Sequence, residues 1–484
     1  MLDPGHKLYR WGPISACPFF MYYAIEAAFA PLKKLFGITY TESLIIFKDN
    51  KVTWLLDDTE LGRQSKKFVD DVILNDAKSK KYFSLWNKRT EKLTKSFDKL
   101  NNLRFTTISD NVLVSTFKKF SKVYYNWFIV TISIELVASN LEPRLGERVK
   151  KCFSDSDKAG FQKAFSTLTA PLTLTFYRQE QKDLLTILTL PEEKREKALS
   201  FHQKKYYWIL NSYAEAKILD REYFKKELGK YKKGQYIKIL DEINRYPSYI
   251  RKEKRSIINS IKPNDKDRRI ISLVESFSQL LDERKAINFR AEHCLEFFVQ
   301  EFAKRTKKRI VDLKYLLPDE ISAVFSHDIL SHLDQRKQCF VLLCSDKKIT
   351  HYIGKNAQIL ANQFLGITNI AEGMIHGQVA SVGESYYFRG TARIVLTIEE
   401  IDKVKDGDVL VTGMTSPDFV IGIKRAGAVI TDTGGMLSHA AIVSREFKKP
   451  CIVGTEIATK VIHDGDIVEL HCGRGTVKII KHTI

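Results

Sequence analysis

The stretch ITDTGGMLSHAAIVSREFKKPCIVGT, residues 430–455, decides the fold of the chain around it. A β-branched run leads into Gly434 and Gly435, which permit a tight turn because glycine adopts positive φ at little cost. The residues after the turn predict a helix beginning near 437–438, and the apolar run 451–453 predicts another strand. His439 is therefore expected in the first turn of a helix that follows a strand.

That position has a defined chemistry. Backbone N–H groups in the first turn have no partner within the helix, and the positive end of the helix dipole lies there. Such a place suits an anion and lowers the pKa of an imidazole, whose neutral nitrogen is a nucleophile. The residues alone thus suggest that His439 carries a phosphoryl group, and they leave open a purely structural turn.

A metal site is disfavoured by the histidine spacing. His463 and His471 fall in different predicted elements, and no His or Cys pair has ligand spacing. We expect structural roles for these two histidines and no metal ligands in the chain.

Two differently composed regions meet near residues 365–375. The net charge is +20 in 484 residues, yet from Gly373 onward 13 basic residues balance 13 acidic ones. Fourteen of the 24 glycines also lie after residue 372. We predict a domain at 1–365, a hinge at 366–375 that turns at Gly366 and Gly373, and a domain at 376–484.

The first region is predicted to be mainly α-helical. Apolar residues recur at helical spacing in three long segments, 112–137, 201–228 and 268–303. Asp49-Asn50 between two β-branched runs predicts a hairpin. The apolar segment 123–137 is too short to span a membrane and contains a glutamate, so a buried helix is expected.

The second region reads as a small α/β domain. Short apolar runs bounded by Gly, Pro or Asp predict strands at 392–396, 408–412, 428–431, 451–453 and 467–470. A helix is expected to start at 415–418 and another to cover about 437–447, with a closing hairpin around 472–475.

Cysteine use and the N-terminus favour a cytoplasmic protein. The seven cysteines include no CxxC pair, which is typical of a reducing compartment. The first residues lack the basic-then-apolar order of a signal peptide. The basic runs 251–255 and 304–309 raise nucleic-acid binding as an alternative, but no known reading module accompanies them.

The segment GGMLSHAAIVSRE, 434–446, with Pro450 and CIVGT after it, resembles the phosphohistidine signature of the PEP-utilising enzymes. This superfamily includes PEP synthase, pyruvate phosphate dikinase and rifampicin phosphotransferase. The resemblance extends to RGTARIVL at 389–396 and GDVLVTGMTSPDF at 407–419. It implies that 376–484 is a β/β/α swivelling domain that carries a phosphoryl group on His439.

The resemblance also implies roles for residues around the histidine. Gly434, Gly435 and Ser438 would shape the phosphate surroundings, and Thr431 and Asp432 would fix the approach. Arg393 and Arg445 are candidate phosphate partners. The sequence departs from many relatives at Leu437, where they have threonine.

The helical region has a weaker resemblance, to the acceptor domain of rifampicin-phosphotransferase-like and PEP-synthase-like proteins. The similar stretches are 174–185, 202–213, 283–292 and 309–321. The implied acceptor-binding candidates are His202, Tyr207, Trp208, Arg284 and Arg290. Aromatic and polar groups of this kind suit an amphipathic small molecule, and the excess positive charge suits an anionic one. Ordinary core packing is the alternative for each of them.

The resemblance implies that an ATP-grasp domain or a PEP-binding TIM barrel charges the histidine. No Walker-type loop and no (βα) repeat long enough for a barrel is evident, so the resemblance implies a partner subunit, expected to have an ATP-grasp fold. No tightly bound cofactor is predicted; Mg²⁺ with ATP or PEP belongs at the partner's site. The chain would then be a phosphotransferase of dikinase or PEP synthase type. The alternatives are a non-enzymatic phospho-carrier or sensor, and a basic scaffold that binds nucleic acid. The last is disfavoured by the neutral second region.

Overall fold

A computed structural model describes residues 2, 8–40, 42–154, 156–326, 332–345, 347–365, 374–415, 417–436 and 438–482. The chain forms two compact units, each made of several segments. Unit 1 comprises Met1–Asn140, Ser212–Ala216 and Ile287–Asn369, and unit 2 comprises Leu141–Asn211, Lys217–Ala286 and Ile370–Ile484. Most of the expected hinge at 366–375, including Gly366 and Gly373, lies outside the described residues, as does Leu437. The domain limits drawn from composition remain a prediction.

Helices occupy most of the first 365 residues that the structure describes. In chain order, the described α-helices are α1 (Pro18–Ala27), α2 (Ala30–Phe36), α3 (Asp58–Phe68), α4 (Asp76–Asn101), α5 (Asp110–Thr131), α6 (Ile134–Lys150), α7 (Lys158–Thr169), α8 (Phe176–Ile187), α9 (Glu192–Tyr206), α10 (Arg221–Gly229), α11 (Lys233–Ile261), α12 (Asp265–Thr306), α13 (Ile310–Leu313), α14 (Leu333–Gln338), α15 (Gly354–Leu365), α16 (Val420–Arg425), α17 (His439–Glu446) and α18 (Ala458–Val461). Short 3₁₀ turns cover Phe105–Thr107, Pro318–Ala323, Ile398–Lys403 and Pro417–Phe419, and a π-helical turn covers Val69–Ile73.

The strands form two sheets. They are β1 (Leu8–Ser15), β2 (Ser43–Lys48), β3 (Lys51–Asp57), β4 (Phe340–Cys344), β5 (Ile349–Ile353), β6 (Ile375–His376), β7 (Gln378–Val382), β8 (Tyr387–Ile394), β9 (Val409–Thr412), β10 (Ala428–Thr431), β11 (Pro450–Val453), β12 (Ile467–His471) and β13 (Thr476–Lys481). Unit 1 holds an antiparallel sheet of order β1-β3-β2-β4-β5, and unit 2 a mixed sheet of order β6-β13-β12-β8-β9-β10-β11-β7.

The hairpin predicted at Asp49-Asn50 is confirmed. Both residues have positive φ, 52° and 56°, and they join β2 to β3 with Lys48 opposite Lys51. Asparagine and aspartate tolerate this left-handed conformation better than most residues, which explains their place in a two-residue turn. The sheet that the hairpin belongs to was not predicted, because β4 pairs with β2 from almost 300 residues further along the chain.

The long helix predicted at 268–303 is confirmed as α12, whereas two other helical predictions need correction. The segment 201–228 is not one helix: α9 ends at Tyr206 and α10 begins only after Asp220, whose carboxylate accepts a hydrogen bond from the Tyr223 amide at 2.8 Å. The segment 112–137 is divided between α5 and α6. In the described part of the chain, no helix combines the length and the apolar character that a membrane crossing requires.

In unit 2, each strand that the sequence predicted between 392 and 470 overlaps an observed one. Strands β8 to β11 are parallel and stand in the order β8-β9-β10-β11, with Ile430 opposite both Val411 and Ile452. Their buried faces form one apolar core with β12, β13 and α18. The closing hairpin is also confirmed, because His471 pairs with Thr476 across the turn. Helix α17 crosses from β10 to β11 and so places its first residue at the carboxyl end of a parallel strand.

Candidate functional site

The loop before α17 is shaped by one glycine and one serine. Gly434 has a φ of +111°, and a Cβ there would lie 2.9 Å from the Ser438 Cβ. Both the backbone conformation and this close approach disfavour a side chain at position 434. Ser438 is the N-cap of α17: its backbone is extended and its Oγ accepts a hydrogen bond from the Ala441 amide at 3.3 Å. These two residues place His439 at the first position of the helix.

The two ring nitrogens of His439 differ in their surroundings. Nδ1 lies 3.0 Å from the Thr415 Oγ1, which fixes the plane of the imidazole. Nε2 is buried and has no hydrogen-bond partner among the described residues. The tautomer in which Nδ1–H donates to Thr415 leaves the Nε2 lone pair available as a nucleophile.

His439 is held neutral. Burial, and then the positive charge of Lys285, lower the pKa of the imidazole well below its usual value. The ring also meets Tyr177 of α8 edge to face, with 6.1 Å between the ring centroids. The Tyr177 hydroxyl donates to the Ile209 carbonyl at 3.0 Å, and burial raises the pKa of this phenol, so the contact adds no charge. The imidazole is therefore uncharged, and Lys285 is close enough to act on it electrostatically.

In the loop that precedes His439, one backbone amide donates a hydrogen bond to a carboxylate. The Met436 N–H donates to the carboxylate of Glu142 from α6, and a Cβ on Gly435 would lie 2.7 Å from the same Glu142 Oε1. Arg445 completes this corner: its Nη2 donates to the Met436 carbonyl and its Nε donates to the Ala380 carbonyl at 2.9 Å. The loop thus binds an anion through a backbone amide, which is the behaviour expected near a helix N-terminus.

The far end of α17 is anchored by a second carboxylate. Glu446 accepts hydrogen bonds from the Thr175 amide at 3.0 Å and from the Thr175 hydroxyl at 2.6 Å. Arg178 donates to the Glu446 carbonyl at 3.1 Å, and its guanidinium lies 4.7 Å from the centre of the Phe447 ring. Burial raises the pKa of Glu446 to about 7. Both ends of α17 are therefore bound by polar groups of the helical part of unit 2.

The other residues that the resemblance placed around the phosphate have structural partners. Arg393 pairs with Asp408 at 3.0 Å and with Asp464 at 3.5 Å. Asp432 accepts hydrogen bonds from the Thr455 hydroxyl, the Thr459 amide and the Thr459 hydroxyl, and Thr431 donates to the Thr433 carbonyl at 2.8 Å. These contacts hold the ends of β10 and β11 in place. Roles for Arg393, Thr431 and Asp432 in phosphate binding remain predictions.

The acceptor-binding candidates have different surroundings. His202 is buried and lies 3.0 Å from the Glu180 Oε1, and the Trp208 indole donates to the Lys205 carbonyl at 2.9 Å. Tyr207 and Arg284 also belong to unit 2, and Arg284 is buried. Arg290 belongs to unit 1, where its guanidinium lies 4.8 Å from the centre of the Phe97 ring. Their role in acceptor binding stays a prediction.

One groove in unit 2 involves a candidate residue. It has a volume of about 360 Å³, and the side chains along it come from α8 and α9 and the turn between them. Its lining includes His202, Asp183, Phe201, Lys205, Tyr206 and Leu190. Apolar walls with a few convergent polar groups are typical of a small-molecule site.

Sequence reasoning missed the partners of His439. Thr415 was recognised only as the start of a helix, and Tyr177 and Lys285 lie in stretches, 174–185 and 283–292, whose likeness to an acceptor domain had been noted. The candidates named in the second stretch were Arg284 and Arg290, and Lys285 was not among them. No pattern along the chain could assign Lys285 to the histidine, because the two are more than 150 residues apart.

Known proteins are similar to the part of the chain that contains His439. Residues 404–475 match the family model of the PEP-utilising enzyme mobile domain, a range that includes Thr415 and His439. The probable phosphoenolpyruvate synthase of Archaeoglobus fulgidus is 46% identical over 113 residues, which are 23% of this chain and 15% of the relative. The phosphoenolpyruvate synthase of Pyrococcus furiosus is 50% identical over 109 residues, which are 22% of this chain and 13% of the relative.

Residues 404–475 are therefore similar to the mobile domain of PEP-utilising enzymes. The match spans less than a sixth of the length of these relatives, and it covers only about a quarter of this chain. The helical part thus has to be interpreted from its own contacts.

Proposed function

We propose that this protein is a phosphotransferase component in which His439 Nε2 receives a phosphoryl group and passes it to an acceptor. The observation that carries the proposal is the state of His439: it is buried and neutral, Nδ1 faces Thr415, and Nε2 has no partner among the described residues. The match of 404–475 to the mobile domain of PEP-utilising enzymes supports the same reading.

In the first step the Nε2 lone pair attacks the phosphorus atom of the donor. The N–P bond forms, the bond from phosphorus to the leaving oxygen breaks, and that oxygen keeps the electron pair. Positive charge develops on the imidazole, and the Thr415 hydroxyl stabilises it by accepting the Nδ1–H hydrogen bond. The Lys285 ammonium, whose charge acts on the imidazole, would stabilise the added phosphoryl oxygens when α17 lies beside it. In the second step the acceptor attacks phosphorus and the N–P bond breaks.

The same contacts require movement between the two steps. Nε2 is enclosed when α17 lies against Tyr177, so a donor can reach it only after α17 leaves α8. Departure breaks the bonds of Glu142 to Met436 and of Thr175 to Glu446. Polar contacts of this kind are easier to exchange with water than an apolar core is, which suits a domain that swivels between two sites.

The donor and the acceptor are proposed to bind at different places. We propose that a partner with an ATP-grasp fold supplies the phosphoryl group from ATP, or a PEP-binding partner from PEP, with Mg²⁺ at the partner's site. The acceptor would be a small molecule bound by the helical part of unit 2. The groove along α8 and α9, with His202 and Lys205 in its wall, is the candidate for that binding.

The test is phosphorylation of the full-length chain by extract of its own host. Extract is supplied in separate reactions with β-labelled ATP, γ-labelled ATP or labelled PEP, and the label that is transferred identifies the donor. We expect a label that is acid-labile and base-stable, as a phosphoramidate is, and that is absent from His439→Ala. His376→Ala removes an exposed histidine of the same unit and should label like the wild type. No label with any donor, under conditions that label a relative, contradicts the proposal.

A second experiment separates a transferase from a phospho-carrier that only signals. The labelled protein is re-isolated and incubated with the small-molecule fraction of the extract. A transferase loses label from His439 to a new small compound, whereas a sensor keeps it. Retention of the label with every fraction would leave His439 phosphorylation standing and would remove the acceptor from the proposal.

A further inference from the structure

Two histidines and one aspartate meet at the open end of the last hairpin, and none of the three is among the described residues that contact His439. Strands β12 and β13 are antiparallel with Ile467 opposite Lys481, so the next residues outward, Asp466 and His482, face each other. His463 lies three residues before Asp466, in the turn that follows α18. The register of the hairpin and the turn before it thus bring three metal-binding residue types together.

The distances within this cluster suit a metal ion. The Asp466 Oδ2 lies 3.1 Å from the His482 Nδ1 and 3.7 Å from the His463 Nδ1, and the three atoms all lie within 4.8 Å of one another. Ligands bound tetrahedrally at about 2.0–2.2 Å from a zinc ion are about 3.3–3.6 Å apart. Small rotations of the two imidazoles would therefore place all three atoms at bonding distance from one cation.

The cluster combines a fixed oxygen with two adjustable nitrogens. The Asp466 side chain is 0% exposed, and its Oδ2 accepts a hydrogen bond from the His463 backbone N–H at 2.9 Å, which orients it. The side chains of His463 and His482 are 70% and 58% exposed, so they can turn towards a cation that arrives from solvent. A hydrogen-bonded carboxylate is the kind of oriented ligand that strengthens metal sites.

The ligand types select the class of metal. Imidazole nitrogen suits Zn²⁺ and its transition-metal neighbours, whereas Mg²⁺ and Ca²⁺ prefer sites built from oxygen atoms. Two imidazoles and a carboxylate leave one tetrahedral position open to water. We propose that His463, Asp466 and His482 bind one divalent cation of the zinc class and thereby tie the end of β13 to the turn before β12. This inference is independent of phosphoryl transfer, and it reverses the structural role expected for His463.

The experiment uses the full-length chain without an affinity tag, and Zn²⁺ as the probe. Calorimetric titration should give one bound Zn²⁺ per chain, and Co²⁺ in its place should give the intense visible absorption of a tetrahedral site. His463→Ala and His482→Ala should each weaken binding by about tenfold or more, and the double variant should lose the site. The midpoint of thermal unfolding should rise with Zn²⁺ in the wild type and not in the double variant.

Two controls exclude other zinc ligands. His376→Ala removes an exposed histidine outside the cluster, and Cys152→Ser removes the exposed free thiol; both variants should bind Zn²⁺ like the wild type. Because the two imidazoles are exposed, the double variant should fold as the wild type does without metal, which circular dichroism checks. If that folded double variant still binds one Zn²⁺ with unchanged affinity, or if the wild type binds none, the proposal is wrong.

Discussion

Two buried histidines of unit 2, His202 and His439, are almost equally enclosed, with 5% and 6% of their surface exposed. Their partners differ. His202 directs Nε2 at the Glu180 carboxylate, 3.0 Å away, whereas His439 faces a neutral hydroxyl through Nδ1 and leaves Nε2 without a partner among the described residues. A carboxylate partner satisfies an imidazole and holds it in the fold, whereas at His439 burial and then the charge of Lys285 lower the pKa of the ring, and the hydroxyl partner leaves Nε2 available. Burial alone therefore does not distinguish a structural histidine from a nucleophile.

The largest difference between the two histidines is expected when each imidazole is removed separately. His439→Leu should abolish the acid-labile phosphoryl label, because the nucleophile is gone, and should lower the free energy of unfolding by only about 1 kcal/mol, because Nδ1 loses its bond to Thr415 while Nε2 has no partner among the described residues. His202→Leu should keep the label and should lower the free energy of unfolding by about 1–3 kcal/mol, because the buried Glu180 loses its partner. Labelling and chemical denaturation are measured on both variants. Equal loss of label in the two variants would contradict the assignment.

The charge beside His439 is the next difference to test. Lys285→Met should slow transfer of the phosphoryl group from His439 to the acceptor by about 10–100-fold, because the cation that stabilises the transferred oxygens when α17 lies beside it is lost. It should also raise the pKa of His439 in the unphosphorylated chain, since burial and then Lys285 lower it in the wild type. The first effect is measured as the rate at which re-isolated labelled protein loses its label to the acceptor, and the second by NMR titration of the His439 imidazole. Lys285→Arg keeps the charge and is the matched control; a rate for Lys285→Met equal to that of the wild type would exclude this role.

The hydroxyl partner of His439 should have a smaller effect. Thr415→Val preserves the shape of the side chain and removes the bond to Nδ1, so we expect phosphorylation to slow by about tenfold and stability to fall by about 1 kcal/mol. Thr415→Ser restores the hydroxyl and should recover most of the rate. Rates are taken from the time course of label incorporation at fixed donor. Recovery by serine separates the hydrogen bond from simple packing, and a slow serine variant would assign the effect to packing.

The success of prediction from the sequence depends on how far apart along the chain the contacting residues are. Strand β10, the turn at Gly434 and the helix from His439 lie within 20 residues, and each was predicted from local spacing and turn residues. Thr415, Tyr177 and Lys285 approach the histidine from distant segments, and the pairing of β2 with β4 is equally distant. Local patterns contain no information about such contacts. The resemblance singled out His439, and only the structure supplied the residues that contact it.

The anchor at the far end of α17 gives the smallest expected effect, a change in how stability depends on pH. Burial raises the pKa of Glu446 to about 7 in the folded chain, while an exposed glutamate in the unfolded chain titrates near 4.5. Between these values the folded state holds more protons, so the contribution of Glu446 to the free energy of unfolding falls as pH rises from about 4.5 to 7 and is constant above that. Glu446→Gln should flatten the measured profile over this range, whereas the exposed Glu399→Gln should leave it unchanged. A profile of Glu446→Gln that matches that of the wild type would show that folding does not raise the pKa of Glu446, and burial beside Thr175 and Arg178 would then not penalise its charged form.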